Sequence, residues 1–264
     1  MKKQRYLSLK VTRATRTGCE KHAFSRIEHA RTYQCLLSLA VDPRTHRAFV
    51  AGRTSNSLAV IDTRTGRAVR PPVDLGDRPY ALAADPGARR IVAIVGAHVL
   101  LLDSRDGTVL RRLTVGADPY ALAVNPRTGL IAMADQAEDI VRLLDGRSGT
   151  VRAWTRLGGI PWALTVDGES ERILVAWGSA VSVLDTRAGR VRSTTAVGPM
   201  PRMLIADGRT GRAFVVDQAD DTVRVLDART GQAVAIAKLG GQPPRRSRST
   251  RRGAGCTWPI STAT

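Results

Sequence analysis

The side chains of this chain that could do chemistry recur at a fixed interval instead of gathering in one place. Asp62, Asp103, Asp145, Asp185 and Asp227 each stand four residues before a glycine, Gly66, Gly107, Gly149, Gly189 and Gly231, so that Asp-x-Arg-x-Gly occurs five times. Asp42, Asp85, Asn125, Asp167 and Asp207 form a second series, 18 to 20 residues ahead of the first. Repeated carboxylates suit a divalent cation, which collects several oxygens, or general acid–base work. A backbone role explains them more fully. An Asp side chain accepts a hydrogen bond from its own chain two residues on, and Gly supplies the positive φ that closes a short hairpin. Both series read as turn residues, with no metal site, no cofactor and no catalytic residue. Two loops are denser in acid: Asp135, Glu138 and Asp139, and Asp217, Asp220 and Asp221. They have oxygens for Ca²⁺ but lack EF-hand spacing, and read as solvated turns.

A third recurrent position is aromatic. Pro79, Pro119, Pro161 and Pro201 are followed by Tyr80, Tyr120, Trp162 and Arg202. If these positions are equivalent, the four side chains form a partial ring. Its bland use is packing; its functional use is a stacking platform for a small ligand, an aromatic peptide or a single-stranded nucleic acid. Nucleophilic and phosphate-binding motifs are missing: GxSxG, the Walker loop and HExxH do not occur. Ser179, in Gly178-Ser179-Ala180, has no His assigned to it, and His46 and His98 fall at non-equivalent places in the repeat.

The elements that must position these residues are short strands. Between Arg202 and Gly241, apolar or alternating runs at Met203–Ala206, Ala213–Val216, Thr222–Leu226 and Gln232–Leu239 are cut by Asp and Gly turns. The same four-strand unit repeats every 40 to 43 residues, over 36–79, 80–119, 120–161, 162–201 and 202–244. That period and content predict an all-β propeller of five recognisable four-stranded blades. Each unit begins apolar and ends polar, as at Thr108–Val115, which places its first strand at the channel and its fourth at the rim. With 43% hydrophobic but only 4% aromatic residues, the core must be Ala, Val, Leu and Ile between stacked sheets.

The ends lie outside the repeat. Residues 1–35 carry nine Lys or Arg against two Glu, and 245–264 carry five Arg and no acid, so most of the +18 net charge sits there. Only five of the 41 basic residues are Lys, a bias expected of GC-rich coding rather than of a nucleic-acid patch. In the first segment Tyr6–Val11 reads as a strand. Glu20–Gln34 reads as a short helix with His22, Arg26 and His29 on one face, most simply a solvated one. Cys19, Cys35 and Cys256 lack metal or disulfide-framework spacing. Lys2-Lys3 is followed by no apolar run of signal-peptide length, and the longest apolar stretch, Ile91–Leu102, is too short to span a bilayer.

Leu82-Ala83-Ala84-Asp85-Pro86, Leu122-Ala123-Val124-Asn125-Pro126, Ser182–Gly189 and Val223–Asp227 resemble the YVTN repeats of bacterial and archaeal β-propellers, known from surface-layer-type proteins. The resemblance covers 36–244, with Phe49-Val50-Ala51-Gly52 and Phe214-Val215-Val216-Asp217 at the tetrapeptide position. It implies a non-enzymatic interaction scaffold with a protein or small-ligand partner at the channel face, in a family often exported. It also implies more blades, often seven, so five are expected to form an open ring. Two rivals follow from the same resemblance, a single-stranded nucleic-acid binder and a lactonase-type enzyme, the latter without the channel histidines or carboxylates it needs.

The tail RRSRSTRRGAGCTWPISTAT begins where a sixth blade is due. Shifted by one reading frame under permitted codons, the junctions from Arg245 to Arg251 read Ala-Val-Ala-Val-Asp-Pro, and those from Gly255 to Ala263 read Val-Tyr-Val-Ala-Asn-Ile-Asp-Gly. The spacing between the two matches that from Asp207-Gly208 to Ala213-Phe214-Val215. We read the tail as an out-of-frame sixth blade in a truncated product, which leaves Cys256 and Trp258 without a role.

Overall fold

In a computed structural model, residues 36–239 are described. Every described residue belongs to one compact unit. The expectations for Tyr6–Val11, Glu20–Gln34, the three cysteines and the 245–264 tail lie outside the described residues.

Twenty strands follow one another without a helix among the described residues. Blade one is β1 (Leu36–Asp42), β2 (Arg47–Gly52), β3 (Ser57–Asp62) and β4 (Val73–Asp74). Blade two is β5 (Pro79–Asp85), β6 (Arg90–Val95), β7 (His98–Asp103) and β8 (Val109–Thr114). Blade three is β9 (Pro119–Val124), β10 (Leu130–Asp135), β11 (Ile140–Asp145) and β12 (Val151–Arg156). Blade four is β13 (Pro161–Asp167), β14 (Arg172–Trp177), β15 (Ala180–Asp185) and β16 (Val191–Ala196). Blade five is β17 (Pro201–Asp207), β18 (Arg212–Asp217), β19 (Thr222–Asp227) and β20 (Ala233–Lys238). Each blade is one antiparallel meander, its strands paired in sequence order. This is the all-β, five-bladed propeller architecture expected from the repeat. Among the described residues strand pairing never crosses from one sheet to another, so no ladder there joins blade five to blade one.

The innermost strands pack in succession, β1 on β5, β5 on β9, β9 on β13 and β13 on β17. The middle strands are sandwiched between neighbouring blades, so they lose the polar/apolar alternation of a half-exposed sheet. β6, Arg-Ile-Val-Ala-Ile-Val, is buried throughout, and so is β10. Gly96-Ala97 turns β6 into β7, with Gly96 at φ 54°. The outermost strands are mostly exposed, β8 and β20 above all. Blade one departs from the pattern. Pro71-Pro72 strips two N–H donors from its outer edge, leaving a fourth strand of two residues.

The core is four clusters, one at each joint between successive blades. Phe49, Leu58 and Val60 of blade one meet Leu82, Ile91 and Leu100 of blade two. Ile94 and Val99 meet Ile131 and Met133, then Val141 and Leu143 meet Leu164 and Ile173, then Leu174 and Val183 meet Ala213 and Val215. The third-turn glycines complete these joints. A Cβ on Gly107 would lie 2.9 Å from Val60, on Gly149 2.6 Å from Leu113, and on Gly231 2.8 Å from Val183. Each of these three glycines is pressed against a side chain of the preceding blade, which would have to shift to admit a Cβ.

Candidate functional site

All five innermost strands carry a bulge at the same register, β1 included, where the ladder steps from Leu36 to Ser38. In blade two Pro79 pairs with Val95 and Ala81 with Ile94, which leaves Tyr80 without a partner. Trp162 is left out in the same way between Pro161 and Ala163, and Arg202 between Pro201 and Met203. In blade three the ladder steps from Ala121 to Pro119 and leaves out Tyr120. Proline has no N–H to give to the ladder, and an unpaired extra residue bends the strand and re-aims its side chain. Each of the four residues is half-buried.

The structure brings these residues together in part. The Arg202 guanidinium lies 3.8 Å from the centroid of the Trp162 ring, joining blades five and four. Tyr80 is covered by a residue that sequence reasoning missed, Arg53, 5.6 Å from its ring and contributed by blade one. Such cation–π contacts are worth about 0.5–1 kcal/mol when exposed and more when dry. Among the described residues no guanidinium or ammonium lies over Tyr120. Arg53 directly follows β2, as Gln136 follows β10, and Gln136 Nε2 donates to the Pro161 carbonyl of the next blade at 2.9 Å. In blades one and three the residue after the second strand therefore reaches across the joint toward the next bulge. Its signal in the sequence is only its place in the repeat, immediately after Gly52.

The acidic loops lie at this end too, but their leading carboxylates are not solvated turns. Asp135 is fully buried. Its Oδ1 accepts from Ala137 and Glu138, and its Oδ2 from Ala117 and from Arg142 at 2.9 Å. Asp217 is held likewise by the N–H groups of Ala219, Asp220 and Met200. Each carboxylate ties the end of a second strand to the link that enters its own blade. Glu138 pairs with Arg142. Asp139 and Asp221 sit at φ 56° and 50°, a left-handed conformation that Asp tolerates. Among the described residues no group of three or more His, Cys, Asp or Glu could hold a metal ion.

The two turn series lie at the opposite end of the blades. Asp62 Oδ1 accepts from Arg64 and Thr65, Asp145 from Arg147 and Ser148, and Asp227 from Arg229 and Thr230. Asp103 accepts from Arg105, and Asp185 from Ala188. The glycines close these turns by donating to the carbonyl of their own Asp, over 2.7 to 3.1 Å, at φ between 68° and 78°. The N–H of Ser148, aided by Arg147 and Arg152, lowers the Asp145 carboxyl to about 2. Asp62 and Asp227 are lowered by the same kind of backbone donor. At Asp185 burial pushes upward, and the Ala188 N–H with Arg192 outweighs it. A cleft at this end of blade four is lined by Glu171, Arg172, Asp185, Arg187, Arg190 and Arg192. Its charges partly neutralise one another, with Arg192 3.2 Å from Asp185.

Comparison with known proteins finds no matching family model and no matching curated protein. What the chain does must therefore be argued from its own side chains. No helix among the described residues is long and apolar enough to cross a membrane.

Proposed function

We propose that this chain is a non-enzymatic β-propeller scaffold of YVTN type that grips a cationic, aromatic-bearing protein segment at the bulged end of its channel. The observation that carries the reading is the residue type at the bulge shared by the five innermost strands, Tyr80, Tyr120, Trp162 and Arg202 in four of them. Charge selects the partner. The loops and links at this end carry Asp77, Asp118, Asp139, Asp220 and Asp221 against Arg53, Arg78 and the Arg202 of the bulge, with Glu138 paired to Arg142. A phosphate chain meets repulsion there, whereas Lys or Arg side chains are attracted and an aromatic side chain can stack on Tyr120.

The test is titration of the purified chain with a Lys/Tyr copolymer peptide and, in parallel, with oligothymidylate, following tryptophan emission. The expected result is peptide binding that weakens at least tenfold in Tyr120→Ala. Binding of oligothymidylate with a steep salt dependence and no peptide binding would replace this reading with the nucleic-acid one.

A further inference from the structure

The four joints between blades are built alike, and among the described residues the outer faces of blades one and five are two halves of such a joint that do not meet each other. On its outer side blade five presents Ile205, Phe214, Val216, Val223 and Val225, all partly exposed. Phe214 stands at the position of Phe49, the third residue of the second strand; Phe49 is 0% exposed in its joint and Phe214 is 38% exposed. Val225 likewise stands where Val60 and Val183 receive a glycine of the following blade. On its face away from blade two, blade one presents Leu39, Val41, Ala48, Val50 and Ile61. Their counterparts in blade two, Leu82, Ala84, Ile91, Ala93 and Leu102, are all buried against blade one. Val41 is 41% exposed. Gly66, at φ 69° like its four equivalents, has nothing within 4 Å of the place where its Cβ would be.

The polar parts of the joint are also in place. Arg47 donates to the Arg105 carbonyl and Arg90 to the Gly146 carbonyl, each reaching the third turn of the following blade. Arg212 occupies the same strand position in blade five, 3.8 Å from Asp227. We infer that blade five of one chain docks head to tail on blade one of a second copy, reproducing the interblade joint with Gly66 on Val225, Phe214 in the apolar centre and Arg212 on the third turn of the partner copy. The two surfaces are different, so the contact is heterologous and builds rings or chains. A two-fold pairing of blade five with blade five has no counterpart among the four joints.

The test is sedimentation velocity on the full chain over a hundredfold concentration range. The wild type is expected to exceed its 28.4 kDa monomer mass increasingly with concentration. Phe214→Glu and Val50→Glu, each disabling one half, are both expected to be monomeric alone, with unchanged far-UV circular dichroism. Mixed one to one, they are expected to form a dimer and stop there, because one intact half remains on each chain. A wild type that stays monomeric throughout overturns the inference, and so does a mixture that remains monomeric. Association of Val50→Glu alone, equal to wild type, would show a symmetric blade-five contact instead. If either glutamate unfolds the chain, Phe214→Ser and Val50→Ser serve in their place, with at least tenfold weaker association than wild type expected for each.

Discussion

At the scale of single residues, the turns separate conformational strain from crowding. Gly107 and Gly231 combine a positive φ with a neighbouring blade closer than 3 Å to any added Cβ. Gly107→Val and Gly231→Val are each expected to lose roughly 1–3 kcal/mol, read as a fall in the urea midpoint. Gly66 has the same backbone but open space, so Gly66→Val should lose only the conformational part, about 1 kcal/mol. Equal losses at all three would mean that the joints do not press on these glycines. Asp145 tests charge apart from geometry. Its carboxyl is lowered to about 2, first by the Ser148 N–H, against about 3.9 in an unfolded chain. A depressed folded value adds stability above the unfolded one, and that stability disappears as the pH falls through the folded one. Wild-type urea midpoints should therefore decline between about pH 4 and about pH 2, and Asp145→Asn should flatten part of that decline. The Asn side chain can still accept the turn hydrogen bonds, as Asn125 Oδ1 does from Arg127.

At the scale of elements, the strands and hairpins were legible because their chemistry is local. The Asp and Gly residues that end each run are the ones that make the turn, and both are visible within five positions. Register was not legible. The bulges at Tyr80, Tyr120, Trp162 and Arg202 exist only in the pairing of two strands, and the guanidinium over Tyr80 comes from another blade. Burial misled in one place. Asp135 has the local signature of a solvated loop, and only the link through Ala117 and Asp118 encloses it. Asp135→Ala should cost about 3 kcal/mol, because it leaves Arg142 and several amides without their acceptor in a buried site. Asp139→Ala serves as the control, and a similar small loss in both, by thermal melting, would argue against Asp135 as the clasp of this blade.

At the scale of the molecule, stability should grade from the middle outward, because a stacked repeat is held by its neighbours. By hydrogen exchange at low concentration, β10 and β11 are expected to be the slowest, and β19 and β20 the fastest of the fully formed blades. Uniform protection would indicate closure into a single cooperative ring. The tail bears on the same question through its coding. The nucleotide sequence across codons 243–264 is expected to encode Ala-Val-Asp-Pro followed by Val-Tyr-Val in the shifted frame; an early stop there would return the basic tail to consideration as a segment in its own right. The sameness of the four joints also has a genetic consequence. A blade inserted between any two others would meet the surfaces it needs on both sides, so unequal crossing-over between repeats can add or remove whole blades without creating a new kind of interface. Selection on such a gene then acts on copy number almost independently of sequence, whereas a gain or loss of one base ends the series at once.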